Sequence, residues 1–157
     1  MSVLKSKRNE SRVEYVATAD KIYSETIQFL SKLSARYSRL LAPDTIHLAS
    51  EVVSYAKKAD DAYPSDIVRL DLRERHLLNA RGALKSLDIA LYHCYDVMMM
   101  NPEGCFEAKS GKQNEASKAI NKLDKMAQSL GTLIDKEGVL LTGVLKSDSE
   151  RRKKLTK

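Results

Sequence analysis

Apolar residues recur every seven positions along most of this chain. Val16, Tyr23, Leu30 and Tyr37 form one row, and Ala19, Thr26, Leu33 and Leu40 form its companion. Such rows share one face of an α-helix, which predicts a first helix over about residues 12–42. Pro43 is expected to end or kink it, because proline disfavours helix in the preceding residue. Asp44 then offers a capping oxygen to a second helix over about 44–61, with Leu48, Ala49, Val52, Tyr55, Ala56 and Ala59 inward. The stretch "DDAYPSD" breaks it, with Ser65 as the expected N-cap of the next helix and Asp66 in its first turn.

A third helix is expected over about 66–100, on the row Leu70, Leu77, Leu84, Leu91, Met98 and the companion row Arg73, Ala80, Leu87, Cys94. Asn101 and Pro102 stop it, and "NPEGCFEAKSGKQ" is the one substantial loop. A fourth helix over about 114–146 carries Ile120, Ala127, Ile134, Leu141 beside Leu123, Leu130, Glu137, Val144. Strand-like alternation is absent, and so is a repeat of the 20–50-residue kind. The prediction is a single all-α domain spanning residues 1–157, an up-down-up-down four-helix bundle. At 1.5 Å per residue the first, third and fourth helices would run roughly 45–55 Å and the second only about 27 Å.

The apolar surface is wider than one bundle core needs. Leu78, Tyr92 and Met99 lie to one side of the main row of the third helix, and Met126, Leu133 and Leu140 widen the stripe of the fourth. Gly131 and Gly138, one heptad apart, each cost a helix about 1 kcal/mol relative to alanine, and close backbone approach would account for them. These eight residues are the expected oligomer interface.

Composition narrows the function classes. The chain has 157 residues, 43% apolar and 31% charged, with nine glycines and prolines and no tryptophan. This is a foldable, helix-favouring balance. No apolar run approaches the roughly 18–20 residues of a membrane span. The start, "MSVLKSKRNESRVEY", lacks the apolar core of a secretory signal, and two cysteines make no disulfide framework. A reducing, cytoplasmic setting away from membranes is expected. The formal charge of +6 is uneven. Residues 1–12 carry +3 and residues 146–157 carry +4, so the ends read as basic tails on a near-neutral body. Such tails suit phosphates and equally suit solvated, frayed chain ends.

The candidate chemistry is thin. His93, Cys94 and Cys105 offer soft ligands, but adjacent helical residues point about 100° apart and structural zinc wants four ligands in paired spacing. Asp44 and His47 make one weak match to a di-iron Glu-x-x-His pair, better read as a helix start. No nucleophile elbow or phosphate-binding glycine loop is present. The spacing of Arg69 and His76 resembles the Arg…His signature of helical HEPN-type ribonucleases, but "RLDLRERH" reads equally as a solvated helix face. No catalytic residue, metal or cofactor is therefore expected. Asp88 and Glu137 fall where burial is expected, and a buried carboxylate needs a partner. Arg81 is expected beside or between them. Phosphate contacts are expected from Lys32, Arg36 and Arg39 on the first helix, from Arg69, Arg73, Arg81 and Lys85 on the third, and from Arg151, Arg152, Lys153 and Lys154 in the tail. Few aromatics interleave them, which argues for backbone or shape recognition over base stacking.

The segments "HLLNARGALKSLDIALYHCYDVMM" and "KLDKMAQSLGTLIDKEGVLLTGVLK" resemble the last two helices of the Avd-like four-helix-bundle proteins. That group holds the accessory variability determinants of diversity-generating retroelements and the bundle proteins of 23S rRNA intervening sequences. The likeness covers most of the chain in helix order and length and is sharpest over residues 80–99 and 126–141. It implies a non-enzymatic, basic homopentamer that binds a reverse transcriptase and its template RNA or cDNA in support of mutagenic retrohoming. The alternative within the same resemblance is an interaction-only bundle with no polymerase partner. This chain departs from the pattern where Asp88, Tyr92 and His93 occupy a stretch expected to be basic, and where the loop holding Cys105 and Phe106 is long.

Overall fold

The computed structural model describes residues 13–106 and 115–157. Among them run four α-helices and no strand: α1 Glu14–Leu30, α2 Ala35–Asp61, α3 Ile67–Met100 and α4 Ala116–Leu155, with a 3₁₀ turn at Glu103–Cys105 after α3. Each helix packs antiparallel to the next. Thr45 of α2 lies level with Cys94 of α3, whereas Ala59 lies level with Arg73. Asp148 of α4 meets Arg73, and Asp124 meets Tyr95. The ring closes where Lys136 of α4 pairs with Glu14 of α1 at 2.9 Å. An all-α four-helix bundle is what the heptad rows predict.

The first boundary is different from the expected one. The helix ends at Leu30, and Pro43 lies inside α2. Lys32 N–H donates to Phe29 O and Leu33 N–H to Leu30 O, each at 3.1 Å, the i→i+3 tightening that closes a helix. Ser34 then turns extended and starts α2. Leu33 tucks into the core while Leu40 stays 68% exposed, so the apolar row continues in the sequence after its face has turned away. Proline inside a helix removes one hydrogen bond, here to the Arg39 carbonyl. Pro43 and Arg39 are both exposed, so water can take that bond. The short helix is α1, at 17 residues, and not the second, which has 27.

Two further boundaries shift. Asp66, not Ser65, is the N-cap of α3: its Oδ1 accepts from Arg69 N–H at 2.9 Å, and Ser65 Oγ steadies Oδ2. At the other terminus, α4 runs through residues 146–155, which read as a tail in the sequence. Arg152, Lys153 and Lys154 occupy its last turn, where cations complement the helix dipole. The basic stretch 1–12 lies outside the described residues.

The core is one continuous cluster. Ile22, Phe29, Val52, Leu70, Leu77, Leu87, Met98, Leu123 and Leu141 are its largest fully enclosed apolar side chains. Ala49, Ala56, Ala59 and Ala80 are 0% exposed and let α2 and α3 lie close. No described helix is long and apolar enough to cross a membrane.

Candidate nucleic-acid and assembly surfaces

The eleven basic residues singled out in the sequence do not form one patch. Arg73 is drawn inside: it is 13% exposed, its Nε donates to Asp148 Oδ2 at 2.7 Å, and a second donor reaches Ala59 O at 2.7 Å. It pins α2, α3 and α4 together, with its charge already answered by Asp148 of this chain. Arg152 forks onto Asp71 at 2.5 Å and Glu74 at 2.8 Å, and those carboxylates hold its pKa up. Arg69 and Lys153 pair locally with Asp66 and Glu150. Such exposed pairs are weak and yield to a competing anion. Arg151 and Lys154 stand exposed at this same end with no ion pair among the described residues.

Arg81 and Lys85 belong to a different place, the groove between α3 and α4. There they line a cavity of about 610 Å³ with Asp88, Asp135 and Gly138. A second cavity of about 480 Å³ continues the groove through Asp88, Leu91, Tyr92, Gly131 and Ile134, as deep as Phe29.

Lys32, Arg36 and Arg39 gather at the opposite end of the bundle. Lys32 Nζ sits 5.1 Å from the centroid of the Phe106 ring, and Lys122 Nζ, from the start of α4, sits 5.0 Å from it. Arg36 and Arg39 are exposed, with no ion pair among the described residues. No signal in the sequence points to Lys122 and Phe106 as members of this group. They lie 90 and 74 residues beyond Lys32, and no spacing rule links them.

The eight expected interface residues also divide. Leu78 and Tyr92 are exposed, at 43% and 60%. Gly131 and Gly138 line the α3–α4 groove. Met99, Met126, Leu133 and Leu140 pack half-buried against the chain's own core, and Met126 faces a separate crevice between α4 and α1. Within one chain the glycines need no close approach. A Cβ on Gly131 would meet nothing within 4 Å, and one on Gly138 would only touch Leu84 Cδ2 at 3.9 Å.

The carboxylate expectation is half corrected. Asp88 is exposed at the groove rim. Glu137 is fully buried, and neither carboxyl oxygen has a hydrogen-bond partner among the described residues. Arg81 does not neutralise it. Desolvation pushes its pKa up to about 8, opposed only weakly by Lys136, which turns away to Glu14. The carboxyl is therefore protonated at neutral pH, and a neutral acid tolerates burial far better than an ion.

Cys94 is a core thiol, its Sγ 3.7 Å from Thr45 Oγ1, and burial raises its pKa. Cys105 is half-buried beside the last turn of α3. No three His, Cys, Asp or Glu side chains converge as a metal site among the described residues. His76 stacks on Tyr55 with 6.1 Å between centroids. Burial first, then Lys58 and Arg75, lower its pKa and keep it neutral. Arg69 meanwhile turns to Asp66, so the pair is not assembled around a common point.

No protein-family model, curated protein or solved structure matches this chain.

Proposed function

We propose that this bundle is a non-catalytic accessory protein of a diversity-generating retroelement, working in the cytoplasm as a homo-oligomer that binds a reverse transcriptase and its template RNA or cDNA. The observation that carries the reading is the separation of surfaces on one rigid bundle. Exposed cations crown both ends, and the α3–α4 groove with its two glycines forms a long unfilled side. Phosphate backbones suit the ends. The groove suits a helix of another subunit or of the polymerase, because glycine admits a close backbone.

The test is co-purification with a reverse transcriptase encoded beside this gene, together with the native mass of the protein alone. An oligomer, the homopentamer implied by the resemblance, should retain polymerase and RNA and release RNA as salt rises. A monomer that ignores both would discard the reading. One observation favours the interaction-only alternative: Arg73 and Arg152, both on the expected phosphate-binding face, are held by carboxylates of this chain. Retention of a protein partner without nucleic acid would select it. A HEPN-like ribonuclease requires His76, and RNA cleavage abolished in His76→Ala would be its signature.

A further inference from the structure

The groove between α3 and α4 carries charges that the fold leaves unanswered. Arg81, Lys85, Asp88, Tyr92 and Tyr95 of α3 follow the alternating four- and three-residue steps of one helix face, and all line the groove. On α4 the facing stripe is Asp124, Gln128, Gly131, Asp135 and Gly138, with the same steps. Arg81, Lys85, Asp88, Asp124 and Asp135 make no ion pair among the described residues. Asp124 accepts from the Tyr95 hydroxyl, and Lys136, the cation next to Asp135 in the chain, turns away to Glu14. The floor is apolar and reaches Phe29 between Leu91 and Ile134. Tyr92 and Val139 flank it at 60% and 72% exposed.

The order of the charges selects an occupant. Arg81 and Lys85 stand at one end of the groove, and no lysine or arginine lines the half that holds Asp124. Tyr95 lies level with Asp124, and Arg73 with Asp148, which fixes the register of α3 on α4. Asp88 is one heptad from Arg81 and one heptad from Tyr95. A two-fold axis across the groove at Asp88 therefore carries the Arg81 of a second copy about 10 Å past the centre, to the level of Asp124. The same rotation exchanges the two sides of the groove and lays the second copy's α3 along α4. The two stripes then coincide step for step: Arg81 over Asp124, Lys85 over Gln128, Asp88 over Gly131 and Tyr92 over Asp135. From this match we infer that the groove is a two-fold interface between copies of this chain, closed by reciprocal Arg81–Asp124 pairs. Each pairing occurs twice in such a self-complementary contact. The Tyr92 hydroxyl gains an acceptor in Asp135, and Gly131, where a Cβ would meet nothing within 4 Å, leaves room for the incoming helix. The two Asp88 carboxylates stand at least about 10 Å apart, a helix spacing, each one turn from a Lys85 of its own helix. Opposed charges are needed here because each chain carries +6 and the copies otherwise repel. The inference rests on the homo-oligomer part of the proposed function, and a contact of this kind closes at two copies where the resemblance implies five. It assigns Arg81 and Lys85 to assembly and leaves phosphates to the cations at the bundle's ends.

The experiment is the native mass of the full chain over a range of concentrations, for the parent and for charge reversals at the pair. The parent should run at twice the 17.6 kDa of one chain. Arg81→Glu alone and Asp124→Lys alone each set like charges against each other at both ends of the contact, and each should weaken self-association at least about tenfold. The double variant Arg81→Glu, Asp124→Lys restores opposite charges and should pair again. The two single variants, mixed, should form a mixed pair although neither pairs with itself. A thermal melt of each variant confirms the fold, and the rescue separates a lost contact from a damaged bundle. A double variant that stays apart, together with a mixture that does not pair, overturns the Arg81–Asp124 contact. An oligomer whose mass ignores both reversals, or a ring of five, overturns the two-fold groove and leaves the homo-oligomer reading standing. A parent that is monomeric throughout overturns both.

Discussion

The two seams of α3 make an instructive contrast. Against α2 it is closed: Ala49, Val52, Ala56 and Ala59 face Leu77, Ala80 and Leu87, and all are 0% exposed. Against α4 it is open: the groove reaches down to Phe29 between Leu91 and Ile134. Both seams use small residues, with different results. Alanine on α2 draws two helices together, because a methyl group fills the remaining space. Glycine on α4 meets almost nothing from α3. A small residue marks close approach only when something in the fold approaches it.

The contrast is open to direct attack, and the largest effect is expected where the closed seam is pinned. Arg73→Met leaves Asp148 buried and uncompensated and frees the Ala59 carbonyl, so unfolding in denaturant should show a loss of about 3–5 kcal/mol. A loss below about 1 kcal/mol, the range of an exposed pair, would mean that water reaches this end and that the pin is dispensable.

Glu137 tests the core next to the open seam. Its carboxyl keeps its proton in the folded state up to about pH 8, against an ordinary value of 4.5. Between those limits unfolding releases a proton, so rising pH favours the unfolded chain. Stability from this group is greatest below about pH 4.5, declines through the window and levels off above about 8. At neutral pH, Glu137→Gln should therefore stabilise the bundle by a few kcal/mol and flatten its pH dependence in that window. Glu137→Met should stabilise it further, because a buried amide still lacks partners. Chemical denaturation of parent and variants across that window reads the slope. A parent with stability independent of pH would show that the carboxylate finds water or a cation.

The remaining pair compares the seams directly. Ala56→Leu overfills the closed seam and should cost about 1–3 kcal/mol. Gly131→Ala should gain about 1 kcal/mol of helix stability in the isolated chain, since its Cβ enters open space. If the groove receives another helix, the same methyl group should weaken assembly, visible as a lower native mass at fixed concentration. A destabilised Gly131→Ala would close the groove as a reading of this fold.

Part of this is legible in the chain. The rows through Leu70 to Met98 and through Leu123 to Leu141 locate α3 and α4, because burial on one face imposes a period close to 3.6 wherever a long helix crosses a core. The same rule misleads at residues 31–43. Tyr37 and Leu40 keep the period but not the face, since a tight turn preserves spacing while redirecting the chain. Pro43 has the look of a boundary, and exposure makes it harmless inside α2. The basic residues are of the right types for phosphate, yet charge composition cannot tell a cation open to solvent from one locked as Arg73 is. Partner carboxylates such as Asp148, 75 residues away, become neighbours only on folding.

Residue order suffices for a helical, single-cored chain with basic termini, because period, propensity and net charge are local or additive properties. It suffices also to put Glu137 in an apolar row. Folding in three dimensions was needed to leave this carboxyl without a partner, to commit Arg73 to the fold, and to bring Lys32, Phe106 and Lys122 together. Those outcomes depend on which helix ends are brought level across the bundle, and that register arises from packing between faces far apart in the chain.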